Sequence, residues 1–227
     1  MKISYLCVTH ERPQFIPWLL WNFERQTWPD KELIIVDSSE TPAAVFAREH
    51  PDVRVVAAPG ANVPAKRNIA LAEAAGDAIT WLDDDDWRHP DSAAVLAALL
   101  DGAPVAGGRW SWFVDLATGQ TRRFCDRRGL LFACLLLDTA VARAVAFDER
   151  LERGSDLPWL TAVLQQPFAY TYDPLAFFLC HDRNLGNGTA GHTFNRGLDD
   201  ISYTVGRRAW GKTTGALTAL RGRLRGD

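Results

Sequence analysis

Four consecutive carboxylates, Asp83-Asp84-Asp85-Asp86, stand directly after the apolar run Ile79-Thr80-Trp81-Leu82. Like charges this close repel one another unless something positive sits among them. A divalent cation is the usual remedy. Oxygen ligands suit Mg2+ or Mn2+, which keep open positions for phosphate oxygens. A solvated loop capping the helix after Pro90 would carry the same acids, but the buried-strand context favours the metal. A second cluster, Lys66-Arg67-Asn68, follows Val63-Pro64 at a helix start. Helix N-termini attract phosphate, and arginine gives it bidentate contacts; a basic turn facing solvent has the same composition. Asp37 follows Leu33-Ile34-Ile35-Val36. It is placed either to accept from a base N–H or a ribose hydroxyl, or to close an Asx-turn before Pro42.

These residues need elements to hold them. The first hundred residues alternate β-rich runs, at Ile3–Val8, Glu32–Val36, Val53–Ala57 and Ala78–Leu82, with helical patterns at Phe15–Arg25, Pro42–Glu49, Pro64–Ala75 and Asp91–Leu100. Strand–helix alternation with nearly continuous apolar strands predicts a parallel sheet covered on both faces. Ligands of such sheets sit at the carboxyl ends of the strands. Thr9-His10-Glu11-Arg12, Asp37-Ser38-Ser39 and the four acids all fall there. After residue 105 the pattern changes. Gly107–Val114 and Gln120–Phe124 read as extended around the turn Ala117-Thr118-Gly119. Leu130–Val145 is apolar and helix-like, and Asp156–Gln165 is helical. Ala169–Tyr172 and Ala176–Cys180 read as strands. Asn184–Thr193, rich in Gly and Asn, reads as a mobile loop, and Ile201–Asp227 as a basic helical tail.

Composition removes several classes. A length of 227 residues suits one domain, or one domain with an appended segment. The net charge of −3 excludes a uniform nucleic-acid-binding surface. Nine tryptophans supply flat apolar faces of the kind sugar sites use, though a buried core is the commoner reason for them. Cys7, Cys125, Cys134 and Cys180 show no zinc-ligand spacing, and the pattern fits a reducing cytosol. The apolar N-terminal run is too short for a signal peptide, and no run approaches a membrane span. A cytoplasmic protein is expected.

Taken in order, the segments Ile3–Thr9, Gln26–Ser39, Ala65–Asn68, Leu82–Asp86 and Ala146–Asp156 resemble family 2 glycosyltransferases of the GT-A fold, whose D-x-D motif matches the acidic run. The resemblance implies an α/β fold with a mixed, mainly parallel sheet flanked by helices. It also implies transfer of a sugar, with inversion, from a nucleotide diphosphate, UDP first. Thr9, Glu11 and Asp37 would line the base and ribose pocket. Arg67 and Asn68 would face the nucleotide, and Asp84 would reach the ribose. Asp83 and Asp85 would serve the metal, with Asp85 the direct ligand. Asp156 matches the general base. Many relatives carry an acid or Asn where Ser38 stands, and often Glu where Ser155 stands. His181 falls where several GT-A enzymes keep a metal or diphosphate ligand, but a strand-end histidine also serves structure.

The expected organisation is a catalytic domain over residues 1–200, with a nucleotide half (1–104) and an acceptor half (105–200), followed by the tail. The acceptor is a saccharide, a lipid-linked group or another hydroxyl. The tail's Arg207, Arg208, Lys212, Arg221, Arg223 and Arg225 would allow weak contact with an anionic membrane, or simply a solvated end. Two rivals remain. A nucleotidyltransferase would need a glycine-rich phosphate loop after the first strand, and Thr9-His10-Glu11-Arg12-Pro13 is not one. A non-catalytic nucleotide-sugar-binding module would keep the pocket without transfer.

Overall fold

A computed structural model describes residues 1–40, 50–115, 118–125, 129–152 and 154–180. The expected helix at 42–49, the Asn184–Thr193 loop, the tail, His181 and Asp182 lie outside the described residues. The chain divides into two compact units, Met1–Trp112 with Arg123–Phe178, and Phe113–Arg122 with Leu179–Asp227.

The first unit holds a seven-stranded sheet. Its strands are β1 (Ile3–Thr9), β2 (Lys31–Asp37), β3 (Val53–Ala57), β4 (Ala78–Trp81), β6 (Val105–Gly108), β9 (Leu135–Asp138) and β10 (Phe168–Thr171), in the order β10-β6-β9-β4-β1-β2-β3. Among the described residues, four further strands are β5 (Trp87–Arg88), β7 (Trp110–Asp115), β8 (Thr121–Cys125) and β11 (Ala176–Cys180), and β5 pairs antiparallel with the start of β11. The large sheet is parallel except at β9, which runs antiparallel to both β4 and β6. The period-2 alternation of each strand divides its side chains between two cores. Ile3, Tyr5, Cys7, Leu33 and Ile35 pack on one face against helices Ile16–Glu24 and Ser92–Leu100. Leu6, Ile34, Val36, Ile79 and Trp81 pack on the other against helices Val63–Glu73, Thr139–Arg143 and Asp156–Val163. Burial on both faces explains why these strands read as continuous apolar runs.

Two expectations from the second half need correction. Leu130–Val145 is not one helix. It forms a 3-10 turn at Phe132–Cys134, then β9, then a helix at Thr139–Arg143. Leu135, Leu136 and Leu137 are fully buried in mid-sheet, and a short, fully apolar run carries no period that separates a buried strand from a buried helix. The extended segment at Gly107–Val114 breaks at Arg109 into β6 and Trp110–Asp115. In the second unit, residues 113–115, 121–122 and 179–180 are extended. Asp115 N donates to Gln120 O at 2.9 Å, and Gly119, at φ +74°, donates to Asp115 O at 2.7 Å.

Gly76 marks where β4 begins beside β1. A Cβ there would lie 2.7 Å from the backbone N of Ser4 and 2.8 Å from Lys2 O, so main chain would have to move. Gly76→Ala is therefore expected to destabilise the fold by about 1–3 kcal/mol, the cost of overpacking a tight site. Urea denaturation checks this, and an unchanged midpoint would show that β1 can shift without loss.

Candidate functional site

The strand register assembles the site. Ile3 pairs with Lys31 and Thr9 with Asp37, so β1 and β2 end side by side. Leu6 pairs with Trp81, and Leu82 N donates to Leu6 O at 2.9 Å, which brings the acidic turn to the same edge. There the Thr9 hydroxyl donates to Asp84 Oδ2 at 2.6 Å. Burial and neighbouring Asp85 push the Asp84 carboxyl up to about 7, while Arg12 and the Thr9 hydroxyl hold it down. Asp83, half-buried, is likewise raised by burial and by Asp85 and Asp156, with Arg67 and Arg12 opposing.

Helix Ile16–Glu24 fixes the turn from behind. Trp18 Nε1 and Asn22 Nδ2 donate to Asp86 O at 3.0 and 2.8 Å, and Asn22 Oδ1 accepts from Arg88 N at 3.2 Å. The buried Arg88 adds bonds from Nη2 to Thr80 Oγ1 and Trp81 O, 2.8 and 2.6 Å. The acids thus stand on a backbone held by four side-chain bonds rather than on a loose loop.

The Asx-turn expected at Asp37 is present. Its Oδ1 accepts from Ser39 N at 2.9 Å and from Ser39 Oγ at 2.5 Å. Glu11, exposed and at φ +49°, joins this turn by donating its N–H to Ser39 Oγ (2.6 Å) and accepting from Glu40 N (2.8 Å). Sequence reasoning gave Lys66 no role of its own. Its buried ammonium donates to Thr9 O at 2.6 Å and Ser38 Oγ at 3.0 Å, tying the ends of β1 and β2 together. Burial lowers its pKa against the pull of Asp37. Arg12 was also missed. Its Nη1 reaches Asp84 Oδ1 at 2.8 Å and its Nη2 pairs with Asp85 Oδ2. The signal was the need for a positive group among the acids, which sequence alone assigned to a metal.

Arg67 and Asn68 part company. Asn68 is turned to the Phe147–Glu149 segment. It donates to Phe147 O (3.0 Å) and Glu149 Oε1 (2.8 Å) and accepts from Phe147 N (2.8 Å). It clips the helix to that turn. The Arg67 guanidinium lies against Phe132, Phe147 and Trp81, at 4.5, 5.3 and 5.8 Å from the ring centres, and donates from Nη1 to Ser155 Oγ at 3.1 Å. Burial lowers its pKa, and Asp83 and Asp156 oppose that. Arg67 therefore brings the acidic turn and Asp156 under one charge. Asp156 opens its helix, half-buried, directly after the buried Ser155. Asp148 is different: the exposed fork of Arg150 holds its carboxyl down at about 2.

The site can bind an anionic, hydroxyl-bearing ligand at strand ends and offer it carboxylates, buried cations and a half-buried carboxylate at a helix start. Among solved structures, S. aureus TarS 1-349 in complex with UDP-GlcNAc superposes with a TM-score of 0.69 at 18% identity, covering 83% of this chain and 61% of that one. A mannosyltransferase, PcManGT from Pyrobaculum calidifontis, in complex with GDP-Man and Mn2+, gives 0.65 at 15% identity, covering 98% of this chain and 69% of that one. These likenesses show the GT-A fold. The Bacillus subtilis (strain 168) protein named Uncharacterized glycosyltransferase YwdF is 33% identical over 106 residues, which are 45% of this chain and 40% of that protein. The chain thus spans less than half the length of this curated relative. The family model described as Glycosyl transferase family 2 matches residues 4–133, more than half of the chain, and the chain belongs to that family.

Proposed function

We propose that the protein is an inverting, metal-dependent glycosyltransferase that moves a sugar, a hexose first, from a UDP-sugar to an acceptor hydroxyl. The acceptor is a saccharide, a lipid-linked group or another alcohol. The observation that carries this reading is the meeting of Thr9, Asp37 and the acidic turn at the ends of three adjacent parallel strands. The TarS complexes with UDP and UDP-GlcNAc favour uridine, and the PcManGT complex with GDP-Man and Mn2+ favours a divalent ion and keeps guanosine in contention.

The residues fit such an ion. Asp83 and Asp85 offer hard oxygen donors from alternate positions of one turn, and Asp83 retains some exposure. Among the described residues no three His, Cys, Asp or Glu side chains form a ready cage. Phosphate oxygens of the donor would complete the coordination, the usual arrangement for Mg2+. Held by Asp83 and Asp85, such an ion would supply positive charge to the departing diphosphate. The rest falls to this chain. Thr9, Glu11 and Asp37 are assigned to base and ribose, Asp84 to the ribose, and Arg67 to the donor side between Asp83 and Asp156. Asp156 takes the acceptor proton as the oxygen attacks the anomeric carbon. Residues 1–104 serve the nucleotide and 105–200 the acceptor. Among the described residues, no helix is long and apolar enough to cross a membrane.

A thermal-shift panel of UDP, GDP and dTDP, each with Mn2+ or EDTA, tests donor and metal together. UDP with Mn2+ is expected to stabilise most, about 2.7 kcal/mol at a hundredfold excess over Kd, and Asp85→Asn to remove the Mn2+-dependent part. Equal stabilisation with EDTA would remove the metal from the reading. A larger shift with GDP would change the base. Strong binding with no transfer to any acceptor would leave a binding module.

A further inference from the structure

The acidic turn already has a cation of its own. Arg12 lies in the loop that leaves β1, directly after Glu11, whose backbone takes the left-handed region that non-glycine residues seldom adopt. From there its planar fork spans two neighbouring carboxylates, Nη1 to Asp84 Oδ1 at 2.8 Å and Nη2 to Asp85 Oδ2. The ring of Phe15 lies 4.7 Å from the guanidinium carbon. The side chains of Arg12, Asp84 and Asp85 are only 13%, 1% and 10% exposed, so the pairs are shielded from water. Two adjacent buried carboxylates demand a positive partner, and here the guanidinium meets that demand. The same fork matches the oxygens of a phosphate as well as those of a carboxylate.

Asp85 cannot give one oxygen to a guanidinium and to a divalent cation at full strength. A nucleoside diphosphate changes the balance, because it brings anionic oxygens for both. We propose that Arg12 is the resident cation of the acidic turn, and that a divalent ion gains Asp85 only as a nucleoside diphosphate takes over the Arg12 fork. The inference rests on the metal and donor reading above and adds an order to it. Metal binding and nucleotide binding are positively coupled, and Arg12 is the residue that couples them. Coupling through shared groups of this kind is reciprocal, with typical magnitudes of about 5–150-fold.

The test is Mn2+ binding to the full chain, read as free Mn2+ by electron paramagnetic resonance, with and without UDP. Wild type is expected to bind Mn2+ alone weakly and to gain at least ~10-fold in affinity with UDP. Arg12→Gln keeps the loop and removes the charge. It is expected to bind Mn2+ alone at least ~10-fold more tightly than wild type, and the gain from UDP should then be smaller than in wild type, the remainder being the direct contact of the ion with the diphosphate. Arg12→Lys keeps the charge without the fork, should fall between the two, and carries the test if the glutamine variant does not fold by circular dichroism. Arg12→Gln or Arg12→Lys binding Mn2+ no more tightly than wild type would sink the inference alone, since metal and donor would still meet at Asp85. Wild type that binds UDP but no Mn2+ under any condition would sink the inference and the metal reading together. Asp85→Asn, expected to bind no Mn2+ with or without UDP, separates this site from stray binding elsewhere; Mn2+ binding that survives it unchanged also overturns the inference.

Discussion

Asp156→Asn is expected to lower sugar transfer at least ~100-fold, the scale of general-base catalysis, with UDP and Mn2+ binding unchanged. That loss equals about 2.7 kcal/mol of barrier. An acceptor hydroxyl is a poor nucleophile at neutral pH, so a carboxylate must take its proton as the new bond forms. Asp156 begins helix Asp156–Val163, directly after Ser155, whose hydroxyl accepts from Arg67. Arg67 also acts on Asp83, so one cation addresses both the acidic turn and Asp156. The neighbouring carboxylates are already engaged. Asp148 is held at about 2 by Arg150, and Glu149 accepts from Asn68. Asparagine keeps the size and the hydrogen-bonding capacity and loses only the proton acceptor. If Asp156 served the helix alone, the variant would lose about 0.3–1 kcal/mol of stability and keep its turnover. Steady-state transfer at several acceptor concentrations decides the matter, and near-normal turnover by a folded variant would place the base elsewhere.

Much of this arrangement was legible in the sequence. The four strands before residue 85 were readable because apolar runs of strand length alternate with helical ones, and their ends named Thr9, Asp37 and the acids. The register that sets Thr9 beside Asp37 was not legible, since pairing is a tertiary property. Arg12 and Lys66 escaped because a cation's partner across some 57 or 72 positions leaves no local pattern. Asn68 was assigned to the nucleotide with Arg67 by the family resemblance, and its bonds to Phe147 and Glu149 were not legible, because adjacent residues on a helix point about 100° apart. One entered the aromatic cage and the other reached the Phe147 turn. The run Leu130–Val145 misled for a further reason. Three leucines in a row satisfy a buried strand and a buried helix equally, and only the gap between β4 and β6 selected the strand.

The chain holds nine tryptophans. Their number allowed a sugar platform or a core, and Trp159 belongs to the core. It is 1% exposed, stacks on Phe147 with ring centres 4.8 Å apart, and meets Phe132 and Trp81 edge-on at 5.6 and 6.3 Å. Its indole N–H donates to Val145 O at 2.9 Å. Trp159→Ala is expected to destabilise the protein by about 3–5 kcal/mol, the range for truncating a buried aromatic, which lowers Tm by roughly 6–20 °C at this size. Trp159→Phe keeps most of the packing and loses the hydrogen bond, for about 1–3 kcal/mol. The same cluster forms the cage on which Arg67 lies, and Asp156 stands one turn before Trp159 on the same helix. Loosening the cage therefore releases the Arg67–Ser155 bond and the placement of Asp156 together. Trp159→Ala should lose transfer at temperatures where it remains folded, although the ring is buried. Urea denaturation followed by circular dichroism, paired with transfer assays well below the midpoint, separates the two effects. A folded Trp159→Ala protein with full turnover would mean that the aromatic cluster holds the fold without positioning the base.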